Sequence, residues 1–277
     1  MSLKLMYITN DIEVAKIAEK AGVDRIFIDL EVVGKQDRQG GMDTVQSKHT
    51  TDDIKAVKEV LESSELLVRS NPIYENSEKE IEEIIKNGAD IIMLPYFKTA
   101  NEVEKFLGYV NGRKKTCLLI ETPEAVSCID EILELPGIDE VYIGLNDLSL
   151  GYGKKFMFEL LADGTVEKLC LKFRMKGIKF GFGGIAAIGT GMLPAEVILK
   201  EHYRLGSSSV ILSRSFCNYE KIDNLQKVKE IFDIGISSMR TCEEQISVYS
   251  RYFFDNIEIL KEKTALIADE MRERTVS

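Results

Sequence analysis

The chain has little of the material from which many functional sites are built. Only two histidines, His49 and His202, occur in 277 residues, so a histidine-rich metal centre is excluded. An ion, if bound, takes mostly oxygen ligands, which favours Mg2+ or Mn2+ over zinc. The five cysteines, Cys117, Cys128, Cys170, Cys217 and Cys242, are odd in number, widely spaced and form no CxxC pair. That argues against a disulfide framework or a zinc–thiolate site and for reduced thiols in a cytoplasmic protein. No apolar run approaches the roughly 20 residues that span a bilayer. Met1 to Asn10 lacks the basic start and small-residue cleavage site of a signal peptide. Positive charge is also short: 36 Lys+Arg against 46 Asp+Glu leave a net charge of −10. Such a chain repels the phosphates of nucleic acid and of membrane surfaces, so neither is an expected partner.

What is present is a full-sized core and an alternating pattern. With 44% hydrophobic residues the chain is not a disordered one. Eight short aliphatic runs recur, each followed by a helical stretch: Leu3–Ile8, Arg25–Leu30, Leu66–Ser70, Asp90–Leu94, Thr116–Glu121, Glu140–Gly144, Ile178–Gly183 and Ser209–Ser213. Most are continuous rather than alternating, as in Ile91-Ile92-Met93-Leu94, which is how strands of a parallel sheet covered on both faces read. Between them, Ile81, Ile84 and Ile85 share one helix face before Asn87-Gly88, and Asn101–Val110 runs up to Asn111-Gly112, both helix stops. Eight such units predict an α/β fold, a (β/α)8 TIM barrel with extra C-terminal helices. A doubly wound sheet is second, because the first turn, Ile8-Thr9-Asn10-Asp11, has no Gly-rich loop. The division is a barrel over 1–220 and a helical extension over 221–277. The extension reads as two helices broken near Gly235, with Ile246, Phe253, Ile257 and Leu260 on one face for packing on a neighbouring subunit, hence a homo-oligomer.

Barrel enzymes carry their chemistry at the C-terminal ends of the strands. Polar residues gather there: Asp29 and Glu31 after the second strand, Arg69 after the third, Glu121 after the fifth, Asn146 and Asp147 after the sixth. Glu121 and Asp147 would end neighbouring strands, where two carboxylates repel unless a cation or proton lies between them. Mg2+ would satisfy such a pair; helix capping explains them equally well. Arg69 closes the apolar run Leu66-Leu67-Val68. Its planar fork suits a carboxylate or phosphate of a ligand, or an ion pair with Asp29 or Glu31. The polar insert Gly34–Thr50, with Lys35, Arg38, Lys48 and His49, is long for a barrel loop, which favours function.

Several runs, in order and spacing, resemble one family. They are Gly88-Ala89-Asp90-Ile91-Ile92-Met93-Leu94-Pro95, Leu119-Ile120-Glu121-Thr122, Ile132-Leu133 before Pro136-Gly137-Ile138-Asp139, and Gly144-Leu145-Asn146-Asp147-Leu148-Ser149. The chain is similar over roughly residues 5–215 to the HpcH/HpaI aldolase and citrate lyase β-subunit family of metal-dependent carbon–carbon lyases. The resemblance implies that Glu121 and Asp147 bind Mg2+ or Mn2+. It implies that Arg69 stabilises the enolate of pyruvate, a related 2-oxo acid or an acyl thioester such as an acyl-CoA. Backbone amides near Asn146 and Asp147, after Gly144, would receive the substrate carboxylate, and Asp29 and Glu31 would orient water at the ion. The chain departs from the family pattern at Asp29-Leu30-Glu31-Val32. Pyruvate aldolases show Asp-Gly-Glu-His there and citrate lyases Asp-Leu-Glu-Asp, and Val32 cannot be a base. His49, from the insert, is the candidate replacement.

A second glycine-rich place, Gly181-Phe182-Gly183-Gly184-Ile185, follows the seventh strand, and Leu212-Ser213-Arg214-Ser215 follows the eighth. Loop amides here bind phosphate in many barrels, which would make Gly183, Gly184 and Arg214 substrate-binding. Glycine also serves where backbones approach closely. Two functions stay open: a metal-dependent aldolase or lyase acting on a 2-oxo acid with an aldehyde, or on an acyl-CoA, and a metal-independent barrel binding a phosphorylated sugar or nucleotide sugar as isomerase or sensor.

Overall fold

The computed structural model describes residues 2–32, 48–248 and 252–276. The insert positions 33–47, with Lys35 and Arg38, lie outside the described residues. Eight parallel strands close into a barrel in sequence order: β1 Lys4–Ile8, β2 Arg25–Asp29, β3 Glu65–Arg69, β4 Ile91–Leu94, β5 Lys115–Ile120, β6 Glu140–Ile143, β7 Lys179–Ile185 and β8 Ser209–Leu212. The expected (β/α)8 TIM barrel with C-terminal helices is therefore present. The helices are α1 Ile12–Ala21, α2 Thr51–Lys58, α3 Ser77–Lys86, α4 Ala100–Val110, α5 Pro123–Ser127, α6 Ile129–Ile132, α7 Leu145–Gly151, α8 Glu159–Ala162, α9 Thr165–Met175, α10 Ala195–Leu205, α11 Leu225–Val248 and α12 Tyr252–Val276.

The continuous apolar runs divide by alternation. Met6, Phe27, Leu67, Ile91, Met93, Cys117, Leu119 and Tyr142 fill the barrel interior. Their neighbours Leu5, Ile26, Ile28, Leu66, Ile92 and Leu118 face outward under the helices. Burying each such side chain contributes about 1.5–3 kcal/mol, so a run covered on both faces gains twice what an alternating strand gains. At the N-terminal end the interior is closed by ions. Arg25, 1% exposed, forms a fork with Glu140 at 2.6 and 2.7 Å and a third bond to Glu65 at 2.9 Å.

The expected break near Gly235 is not there. α11 runs through it without interruption. A Cβ at Gly235 would lie 2.6 Å from the Phe216 ring, so this glycine marks a close approach rather than a helix end. The extension lies on its own barrel: α11 packs on α1 and α10, and α12 on α10 and α8. Ile246 and Leu260 are buried, while Phe253 and Ile257 are half-buried. Among the described residues no helix is long and apolar enough to cross a membrane.

Candidate active site

A cavity of about 350 Å3 opens at the C-terminal mouth of the barrel. Asp29, Glu31, His49, Arg69, Asn146 and Asp147 line it together with Tyr7, Ile8, Ile211, Leu212, Arg214 and Tyr219. Because parallel strands all end at one face, side chains far apart in sequence meet there without any long connecting loop. β2 and β3 pair with Asp29 opposite Arg69. The guanidinium clasps Asp29 with two bonds, Nε to Oδ1 at 2.8 Å and Nη2 to Oδ2 at 2.7 Å, and reaches Glu31 at 3.3 Å. Burial opposes the charged guanidinium. The carboxylates of Asp29 and Glu31 outweigh burial and hold Arg69 protonated above its ordinary range. The ion pair weighed from sequence thus exists, and Arg69 still faces the cavity.

Glu121 follows β5 and is 3% exposed. It does not cap a helix: the hydroxyl of Thr122 does, accepting from the Ala125 amide at 3.1 Å. Glu121 Oε1 instead accepts from the Tyr96 amide at 3.0 Å, and Tyr96 adopts φ 48° to present that amide. A non-glycine residue held in the left-handed region is strained, which is characteristic of functional sites. Burial first, and then the charges of Asp147 and Glu31, push the Glu121 carboxyl up to about 8, against the pull of Arg69 and of the Tyr96 amide. Gly144 makes this arrangement fit, since a Cβ there would lie 2.7 Å from Glu121 Oε2. Asp147 stands in the first turn of α7.

Of the other residues expected from sequence, His49 comes to the cavity: its Nδ1 accepts from the Asp29 amide at 2.9 Å. Arg214 lines the outer edge and is exposed. Gly144, Gly183 and Gly184 do not line the cavity. The glycine run has a packing cause. The register of β7 on β8 shifts between Gly181 and Gly184. The Tyr142 hydroxyl bridges the irregular stretch, donating to Gly183 O at 2.5 Å and accepting from the Ile211 amide at 2.9 Å. A Cβ at Gly181 would lie 2.5 Å from that ring, and one at Gly183 would lie 2.7 Å from Leu145.

Sequence reasoning missed two supporting groups. Tyr96 acts through its backbone, which no side-chain motif announces. Asn71, two residues beyond Arg69, accepts from the Val32 amide at 2.9 Å and donates to Glu80 Oε1 at 2.8 Å, fixing the segment that carries Glu31. Its signal was a polar residue at a strand end, just before Pro72.

A wider cleft of about 720 Å3 lies at the opposite, N-terminal rim. Its charges are largely spent: Lys58 on Asp90 and Lys115 on Glu65, each at 2.6 Å. The amides of Glu62, Ser63 and Ser64 already point at the Glu19 carboxylate. The smaller cavity is therefore the candidate active site.

Among the described residues no group of three or more His, Cys, Asp or Glu is arranged to enclose a metal ion. Glu121 and Asp147 are a pair, which suits an ion that keeps several positions for water and substrate.

Solved structures share the fold. An HpcH/HpaI aldolase from Desulfitobacterium hafniense DCB-2 superposes with a TM-score of 0.61 at 16% identity, covering 83% of this chain and 93% of that one. An HpcH/HpaI aldolase/citrate lyase family protein from Burkholderia cenocepacia J2315 does so with 0.60 at 14%, covering 82% and 95%. No curated protein matches the chain. The family model described as HpcH/HpaI aldolase/citrate lyase matches residues 5–179. That stretch is well over half of the sequence and includes Asp29, Glu31, Arg69, Glu121 and Asp147, so the chain belongs to the HpcH/HpaI aldolase/citrate lyase family.

Proposed function

We propose that the protein is a class II type aldolase that makes or breaks a carbon–carbon bond beside the enolate of a pyruvate-like 2-oxo acid, with an aldehyde as second substrate. An acyl-CoA would enter the same chemistry through its thioester enolate. The observation that carries this reading is the charge imbalance: three carboxylates, Asp29, Glu31 and Glu121, act on one buried guanidinium, Arg69, and a fourth, Asp147, acts on Glu121. Members of the family generally bind a divalent metal. The residues fit one, because a cation would offset the burial, and after it the repulsion from Asp147 and Glu31, that raise the Glu121 carboxyl. Glu121 and Asp147 would hold Mg2+ or Mn2+, and the bound ion would supply Lewis-acid polarisation of the 2-oxo group.

The chain's own residues do the rest. Arg69, fixed by Asp29 and Glu31, offers its remaining donors to the enolate oxygen, a preorganised stabilisation of developing charge. Asp29 and Glu31 orient solvent at that oxygen. The amides of Asn146 and Asp147 receive the substrate carboxylate. The apolar floor of Ile8, Ile211 and Leu212 seats the aldehyde, with Arg214 at its edge. Gly144, Gly183 and Gly184 act behind the wall, where Gly144 leaves room for Glu121 and Gly183 for Leu145. The extension over 221–277 is assigned self-association, and the protein a cytoplasmic place. The test is exchange of pyruvate methyl protons into deuterated water, followed by NMR. Exchange should require Mg2+ or Mn2+, stop on chelation and return on adding the ion. No exchange with either ion would overturn the reading.

A further inference from the structure

Beyond β2 the chain leaves the sheet, yet three successive amides stay fixed. Leu30 donates to the Arg69 carbonyl at 3.0 Å, Glu31 to Asp29 Oδ1 at 3.1 Å and Val32 to Asn71 Oδ1 at 2.9 Å. The middle residue carries the carboxylate that lies 3.3 Å from the Arg69 guanidinium. The third bond depends on which end of the Asn71 amide faces Val32, because its oxygen only accepts and its NH2 only donates. Asn71 Nδ2 donates to Glu80 Oε1 at 2.8 Å, and the Asn71 backbone amide donates to the same oxygen at 3.1 Å. With two N–H groups on Oε1, a proton bound by Glu80 would sit on Oε2 and leave Oε1 an acceptor. A flipped Asn71 amide would set oxygen against oxygen at Glu80 and N–H against N–H at Val32. Glu80 is itself firmly held. It stands in the first turn of α3, beside buried Ile81 and Ile84. The turn leading back to Asn71 is closed twice, by the Tyr74 amide on the Ser77 hydroxyl at 2.8 Å and the Ser77 amide on the Tyr74 carbonyl at 3.2 Å.

We propose that Glu80 is a positioning residue for the reaction: it sets the direction of the Asn71 amide, and through the Val32 amide it holds the Glu31 carboxylate against Arg69. The proposal rests on the carbon–carbon lyase reading and extends the working residues from the barrel mouth to a helix outside it. Neither Glu80 nor Asn71 lines the cavity, so the effect of Glu80 travels through Asn71 and the chain segment that Asn71 pins. Arg69 makes its contribution in the transition state, and Glu31 is one of the two carboxylates that fix it. A displaced Glu31 therefore lowers kcat and leaves KM little altered.

A double-mutant cycle in the full chain, run at pH 8, tests the relay. Glu80→Met keeps the length without an acceptor, and Glu80→Gln keeps an acceptor without the charge. Asn71→Asp sets two carboxylates face to face, and Asn71→Asp with Glu80→Gln restores a donor opposite an acceptor. Two quantities are read. One is hydrogen exchange of the Val32 amide, followed by NMR in metal-free protein. The other is exchange of pyruvate methyl protons with Mg2+ at 25 °C, resolved into kcat and KM. Glu80→Met and Asn71→Asp should exchange the Val32 amide faster and lose about 10–100-fold in kcat, with KM little altered. Glu80→Gln should resemble the wild type, and the double variant should recover most of what Asn71→Asp loses in both quantities. Glu80→Met with the wild-type kcat, or a double variant no faster than Asn71→Asp, overturns the proposal. A loss confined to melting temperature or KM does so too, since Glu80 would then only brace α3. Should Glu80→Met fail to fold, the comparison of Asn71→Asp with the double variant decides. Wild-type protein that exchanges pyruvate protons while the cycle fails removes the proposal alone and leaves the lyase reading standing. Wild-type protein without exchange removes both.

Discussion

Replacing Arg69 by Lys separates catalysis from structure at the centre of the site. The guanidinium makes two bonds to Asp29, at 2.8 and 2.7 Å, a contact with Glu31 at 3.3 Å, and lies over the Phe27 ring at 5.7 Å. An ammonium keeps the charge but satisfies one oxygen where the fork satisfied two. Losing one charge-assisted bond at a side chain only 14% exposed should lower stability by about 1.5–3 kcal/mol. In a protein of this size each kcal/mol moves Tm by about 2–4 °C, so scanning calorimetry resolves the change. Catalysis should suffer separately. Stabilisation of an enolate is realised in the transition state, so kcat for pyruvate proton exchange should fall by about 10²–10³ with KM little altered. The exchange assay at 25 °C, well below the melting transition, keeps the two effects apart. A destabilised variant that exchanges protons at the wild-type rate would show that Arg69 only holds Asp29 in place, and the catalytic argument would fail.

The other expectations concern the ion pairs and the glycine beside them. With its carboxyl near 8, Glu121 is mostly protonated at pH 7, so binding of Mg2+ should release about 0.9 proton per ion there and almost none above pH 10. Calorimetry in buffers of different ionisation enthalpy measures this, and release independent of pH would contradict it. The sign for stability follows: the folded state holds this proton longer than the unfolded state. Metal-free protein should therefore lose stability as pH rises from 4.5 through 8, and denaturant midpoints across that range check the trend. At the barrel floor, Glu140→Gln leaves Arg25 with half its partners and should cost about 3–5 kcal/mol. Arg25→Met with Glu140→Leu should be near neutral, both read from urea midpoints at constant m. Gly144→Ala drives a methyl into Glu121 and should weaken Mg2+ binding by about 10–100-fold, measured by titration calorimetry.

Much of the barrel was legible because burial on both faces leaves an unmistakable trace. Runs such as Ile91–Leu94 cannot be half-exposed strands, and their ends came within a residue or two of the observed ones. The charged ends of β2, β3, β5 and β6 were legible for the same reason, since Asp29, Arg69, Glu121 and Asp147 interrupt otherwise apolar stretches. Glycine was harder to read. Gly235 sits inside α11 because Phe216 needs the space, and the run from Gly181 to Gly184 accommodates Tyr142 and Leu145. In each case a side chain remote in sequence occupies the space, which no local pattern displays. The Tyr96 amide and the Asn71–Glu80 clamp were illegible because their contributions depend on backbone direction. His49 was legible only as a residue in an overlong insert. Its bond to the Asp29 amide needed the fold.

The notch at Gly235 makes the cavity wall answerable to the far end of the chain. Phe216, lodged there, belongs to the same loop as Arg214, Cys217 and Tyr219. Its ring meets Phe232 of α11 at 5.6 Å, and Phe232 in turn meets Tyr7 of the wall at 4.8 Å. Substitutions in α11, well outside the mouth of the barrel, should therefore alter the shape of the cavity without touching Arg69 or Glu121. Changes that reshape the cavity would be expected at positions 228–236 as readily as in the loop itself. A chain cut before α11 would lose Phe232, which backs Tyr7 and Phe216, along with its extension.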